Sequence, residues 1–130
     1  MSQQDQGRMM HIGEVAERTG LSLRTIRHYD EVKLLPPSGR TEGGFRLYTE
    51  SDVERLVHIR RIAPLGFTLE ETTDILRILN DEESVTEPNE YLTRAQEARE
   101  KLARKLRQAD ELIADLNARS HSHTSAANRS

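Results

Sequence analysis

Residues 12–31 read IGEVAERTGLSLRTIRHYDE, two short helical patterns meeting at Gly20. Ile12, Val15 and Ala16 recur at helical spacing and mark an inward stripe on the first pattern. Gly20 suits the tight turn because glycine takes a left-handed backbone without steric penalty. Ser22 is placed to cap the second helix, whose Leu23 and Ile26 are expected to face a core. That assignment leaves Arg24, Thr25, Arg27, His28 and Tyr29 pointing outward. Arg24, Arg27 and His28 stand three and four residues apart, so they share one helix face. Such a face offers donors for phosphates and base edges, as a reader helix in a DNA major groove requires. Standing alone, the same face also admits the lesser reading of a solvated surface.

Working outward, residues 32–48 lose helical character at Pro36, Pro37, Gly39, Gly43 and Gly44. The run GRTEGGFRLYT reads as a hairpin, with a Gly-Gly turn before a strand carrying Phe45, Arg46, Leu47 and Tyr48. Alternation puts Phe45 and Leu47 on one face and Arg46 and Tyr48 on the other. With Arg46 and Tyr48 outward beside Arg40, the hairpin becomes a second phosphate clamp; read as structure only, it is a turn whose aromatics cover the core. Thr49 and Asp52 then form a capping-box variant before a helix carrying Val53, Leu56, Val57, Ile59 and Ile62, closed by Pro64 and Gly66. Thr68 and Glu71 repeat the device for a fourth helix, with Phe67 placed to staple back onto it and Ile75, Leu76 and Leu79 as its buried stripe. Residues 80–90, NDEESVTEPNE, read as an acidic linker interrupted by Pro88.

Beyond the linker the period changes to seven. Leu92, Arg99, Leu106 and Ile113 fall at one heptad position, and Ala95, Leu102, Ala109 and Leu116 at the other. This seam predicts a coiled coil over residues 91–118, with Arg99 its one charged member. The expected layout is a disordered N-terminus (1–10), a head (11–79), a linker (80–90), the coiled coil and a disordered tail (119–130). The fold class follows: mostly α, with a small β-hairpin wing.

Net charge is −3, which is unfavourable for a DNA binder taken whole. The distribution matters more. Residues 1–66 carry ten Lys/Arg against nine Asp/Glu, whereas residues 67–130 carry nine against thirteen, so the acidic excess lies away from the proposed reader. DNA affinity follows local neutralisation of phosphates rather than the total. The chain has no cysteine, which rules out disulfides and thiolate metal sites. No apolar run approaches the roughly 20 residues a membrane span needs, and no secretion signal opens the chain. A cytoplasmic location is the resulting expectation. No nucleophile–base pair, metal cluster or phosphate loop points to an enzyme, and no cofactor is expected.

The order of helix-turn-helix, wing, helix pair and long terminal helix resembles the MerR family of bacterial transcription regulators. The matching text is IGEVAERTGLSLRTIRHYDEVKLLPP, then GRTEGGFRLYTESDVERL, then LGFTLEE. The resemblance implies a homodimer paired through an antiparallel coiled coil and bound to a palindromic promoter. The resemblance implies action by bending and untwisting an overlong spacer so that RNA polymerase can engage. It also implies DNA contacts from Ser22, Arg24, Thr25, Arg27, His28 and Tyr29 of the reader, with Arg24 and Thr25 nearest the bases. From the wing it implies Arg40, Gly44, Phe45, Arg46 and Tyr48. Family members that sense soft metals or oxidants use cysteines, which this chain lacks, and the polar residues 119–130 after the coil are not expected to form the separate domain of members that bind bulky ligands. The effector is therefore unassigned: a small ligand held between head and coil, a protein partner, or none. His121 and His123 are expected to be incidental to metal binding. The rival reading is a coiled-coil adaptor whose helix-turn-helix contacts protein, and salt dependence separates the two.

Overall fold

The computed structural model describes residues 8–129, with side chains described through His121. Strand β1 is Met10–His11, followed by helices α1 (Ile12–Thr19) and α2 (Leu23–Glu31). Strands β2 (Gly39–Arg40) and β3 (Arg46–Tyr48) form the hairpin; α3 (Glu50–Ile62), a single 3-10 turn (Ala63–Leu65) and α4 (Leu69–Leu79) follow. Helix α5 spans Pro88–Arg129. The chain divides into two compact units that part at Pro88, a head and the long helix. The fold class agrees with the expectation from sequence.

Local chemistry explains most of the head. Gly20 caps α1 at φ 74°, its N–H donating to the Ala16 carbonyl. Both capping boxes form: Thr49 and Asp52 exchange side-chain-to-backbone bonds at the start of α3, as do Thr68 and Glu71 at α4. Each satisfies two backbone donors that a helix end leaves open. Val15, Ile26, Leu34, Leu35, Leu56 and Ile59 build one apolar core, with Ile12, Ala16, Phe67 and Ile75 packed against it. Polar bonds then fix the helices around that core. Arg18 grips Glu50 with both terminal nitrogens at 2.5 and 2.8 Å, Arg60 donates to the Thr19 carbonyl, and Arg55 donates to the Leu34 carbonyl at 3.3 Å.

Several expectations are corrected. The hairpin is part of a three-stranded antiparallel sheet in the order β1-β3-β2, because Met10 pairs with Tyr48 and His11 with Leu47. Met10 therefore lies in structure rather than in a disordered N-terminus, and its side chain is buried. Residues 1–7 of that expected segment lie outside the described residues. Leu23 and Leu79, assigned to the core, are 40% and 46% exposed. Leu23 is the first residue of its helix, ahead of the turn that packs. Leu79 is the last of α4, where the buried positions are Thr72, Asp74 and Leu76. Asp74 caps the connection to the long helix, accepting from the backbone N–H of Val85 at 2.8 Å and of Thr86 at 3.0 Å.

Pro88 does not interrupt a linker; it opens α5. A proline at the first helical position loses no intrahelical bond and has the required φ already set. The helix then continues through Arg129, past the expected end at 118, since no Gly or Pro follows Pro88 to stop it. At about 1.5 Å per residue it is about 60 Å long. Its heptad leucines stand in the open: Leu92, Leu102, Leu106, Ile113 and Leu116 are each between 42% and 64% exposed. Arg99 and Ala109 are exposed and Ala95 is half-buried. His123 lies beyond the residues whose side chains are described.

Candidate nucleic-acid interface

Helix α2 carries the first half of the site. Ser22 caps it, accepting from the Thr25 N–H at 3.0 Å and donating to the Thr25 hydroxyl at 2.9 Å. Both hydroxyls are thus engaged in fixing the helix start. Ile26 is fully buried and anchors the opposite face. After Glu31 the chain turns sharply, with Lys33 at φ 63° and the N–H groups of Leu34 and Leu35 both donating to the Tyr29 carbonyl. Buried Leu34 and Leu35 lock this exit. The helix is therefore held at both ends, and Arg24, Arg27 and His28 stand exposed on it. Neither Arg24 nor Arg27 has an ion-pair partner among the described residues.

Tyr29, expected outward, is half-buried and packs against the core, and burial pushes its phenol pKa up. Its ring lies 6.1 Å from that of His28, tilted by 46°. Thr25 is likewise half-buried.

The wing is the second half. Gly39 pairs with Leu47 and Arg40 with Arg46, so residues 41–45 form the tip. The Thr41 N–H donates to the Phe45 carbonyl, the Gly44 N–H to the Thr41 carbonyl, and the Phe45 N–H to the Thr41 hydroxyl at 3.1 Å. Gly44 sits at φ 87°, a conformation that a side chain would strain even though the space beside it is open. Phe45 projects at the tip, 70% exposed.

The wing arginines differ from those of the helix. Arg46 donates through Nε to Asp30 Oδ2 at 2.8 Å, and Arg40 donates through Nη2 to the same oxygen at 3.2 Å and through Nη1 to the Gly44 carbonyl at 3.0 Å. The hydrogen bond to Asp30 raises the Arg46 pKa above its ordinary value, so its charge is fixed at any accessible pH. Asp30 stands one helical turn beyond Arg27 and was not singled out from sequence. Its partners lie ten and sixteen residues away, so no local pattern announces it.

Tyr48 is the clearest correction. Alternation does place it on the Arg46 face, but at Tyr48 that face turns inward, and the ring is fully buried. Its hydroxyl is buried too, with no hydrogen-bond partner among the described residues, and burial raises its pKa. The expectation that this hydroxyl meets a phosphate has no exposed atom to rest on. Tyr48 instead anchors the wing to the core from below.

A capped helix with a cationic outer face, a turn before it and a hairpin beside it define a winged helix-turn-helix protein. Residues 10–79 match the family described as MerR HTH family regulatory proteins, and the chain belongs to that family. It is 39% identical over 108 residues to the HTH-type transcriptional regulator ZntR of Escherichia coli K12, covering 83% of this chain and 71% of ZntR. The crystal structure of a MerR-family transcriptional regulator from Bacillus cereus superposes with a TM-score of 0.63 at 32% identity, covering 85% of this chain and 78% of that one. HiNmlR, a MerR family regulator lacking the sensor domain and bound to promoter DNA in its crystal structure, shares the fold. Its TM-score is 0.62 at 22% identity, covering 85% of this chain and 89% of that one. The chain is accordingly a transcription regulator and not an enzyme. Among the described residues no helix is long and apolar enough to cross a membrane.

Proposed function

We propose that the chain acts as a homodimer on a palindromic promoter site. Each copy lays α2 in the major groove and its wing on the flanking backbone, and the pair regulates transcription by distorting the DNA between them. The observation that carries this reading is the exposed Arg24, Arg27 and His28 face on a helix fixed at both ends, with Arg40 and Arg46 next to it on the wing. One short reader helix spans too few base pairs to select a promoter, whereas two at a fixed separation match a two-fold operator.

Helix α5 supplies the means of pairing. Its leucines at heptad spacing are exposed in the single chain, and an apolar stripe of that length is buried when a second copy packs against it. In an antiparallel pair Arg99 reaches Glu97 or Glu100 of the second copy or extends its charge to the rim. Residues 91–118 are the dimerisation segment in this reading. Bending a promoter costs on the order of a few kcal/mol, which the added phosphate contacts offset. RNA polymerase is then the second partner, engaging the reshaped promoter in the bacterial cytoplasm. The promoter-bound structure of HiNmlR, whose fold this chain shares, supports DNA as the ligand.

Mapping the binding sites of the protein across its own genome, then measuring affinity for the recovered fragment against salt, tests the reading. With Arg27, Arg40 and Arg46 from two copies on about six phosphates, the log–log slope is expected near −5. A protein that sediments as a monomer and ignores every promoter fragment at low ionic strength overturns it.

A further inference from the structure

Asp30 is an acidic residue inside an interface meant for a polyanion. Its side chain is only 15% exposed, yet one of its oxygens receives both wing arginines, from opposite strands of the hairpin. Arg46 meets it through Nε, so the two terminal nitrogens of that guanidinium have no partner among the described residues. Arg40 spans from Asp30 to the carbonyl of Gly44 at the wing tip. On charge alone Asp30 is a liability, because it cancels one of the two positive charges the wing brings to DNA.

We propose that Asp30 is a positioning residue for DNA recognition: it holds Arg46 by one edge so that the opposite edge meets a phosphate, and it locks the wing to the helix that reads the bases. The inference rests on the DNA-binding reading above. A guanidinium has donors on two edges, so it serves a carboxylate and a phosphate at once, which an ammonium cannot do with the same geometry. Holding the side chain in advance removes rotamer entropy that binding would otherwise have to overcome. Because Asp30 and Arg27 lie on one turn of α2, the wing phosphate and the reader helix share a single rigid frame.

Charge and position predict opposite signs, which makes the test direct. Asp30→Asn adds one net positive charge per copy and preserves shape. The full-length dimer is titrated with the operator fragment that the wild type recovers from the genome, and with a scrambled fragment of equal length. Positioning predicts that Asp30→Asn weakens operator binding about tenfold, the effect of one misplaced charge-assisted hydrogen bond, while binding to the scrambled fragment is unchanged or stronger. Arg46→Lys keeps the charge and removes the two-edged donor, and it is expected to show the same loss. In Asp30→Asn/Arg46→Lys the second change adds little to the first, since both break one arrangement. Hydroxyl-radical footprints lose protection at the wing contacts and keep it at the centre of each half-site. Tighter binding of Asp30→Asn to both fragments by the same factor overturns the proposal and leaves the DNA-binding reading intact. Wild-type affinity in Arg46→Lys, or full additivity in the double variant, does the same. Failure of the wild type to bind any promoter fragment overturns both.

Discussion

Helix α2 and the wing each present two arginines, and the protein treats the pairs differently. Arg24 and Arg27 stand exposed with no ion pair among the described residues, whereas Arg40 and Arg46 converge on the Asp30 carboxylate before any DNA arrives. An unrestrained arginine chooses among rotamers and can settle on a base edge or on a phosphate, at an entropic cost of up to about 2 kcal/mol. A restrained one has lost that freedom during folding and suits a target that never varies, such as a phosphate. In the proposed DNA-binding mode, the difference would separate contacts free to adapt from contacts held in place.

In the proposed dimer, breaking the pairing of copies would remove both kinds of contact from one half-site, and it has the largest expected effect. Leu102→Asp with Leu106→Asp puts charge into the exposed seam of α5; monomers by sedimentation and at least about a hundredfold loss of operator affinity are expected, because two linked readers bind far more tightly than one. A variant that still sediments as a dimer shows the seam lies on another face. Next is Arg24→Ala, which leaves the dimer intact and lowers operator affinity by about tenfold to a hundredfold while affinity for scrambled DNA falls much less. Equal losses on both would make Arg24 a phosphate contact and erase the contrast with the wing.

Tyr48→Phe probes the wing from below. The buried hydroxyl has no hydrogen-bond partner among the described residues, so removing it relieves a desolvation cost. Stability by denaturant titration is expected to be equal to wild type or higher by about 1 kcal/mol, with operator affinity unchanged; a drop in affinity would return Tyr48 to the interface. The smallest effect concerns a third use of arginine. Arg18 hydrogen-bonds Glu50 and holds its carboxyl pKa below the usual 4.5. The pair's contribution is therefore present above that value and is lost as pH falls through the lowered folded-state pKa. Arg18→Ala is expected to lower the melting temperature slightly at neutral pH and to flatten its fall between about pH 5 and about pH 3, as exposed ion pairs contribute little. A parallel shift of the whole profile would show that Arg18 acts through packing instead.

How much of this was legible depended on how local each cause is. The two capping boxes, the turn at Gly20 and the exposed face of Arg24, Arg27 and His28 are written within four residues of one another, and they were read correctly. Helix ends were harder. Leu23 and Leu79 have the spacing of core residues, but each is the terminal residue of its helix and stands exposed. Pro88 looked like a break because proline stops helices from inside, and it starts them from the first position. What escaped altogether was set by pairings across the chain. The partner of Met10 is Tyr48, and the partners of Asp30 lie on a hairpin whose register only the folded sheet fixes. Strand alternation grouped Arg46 with Tyr48 correctly, but it carries no information about which side of a three-stranded sheet the core will occupy.

That third strand, only two residues long, has a practical bearing on anyone trimming this head for crystallisation or for fusion to another module. Met10 lies across from the anchor of the wing, and Arg18 donates to its sulfur at 3.1 Å. Cutting at Ile12, where the helical signal begins, would uncap the sheet, expose the underside of Tyr48 and free the hairpin to drift. A shortened protein of that kind would retain its reader and lose the steadiness of its grip.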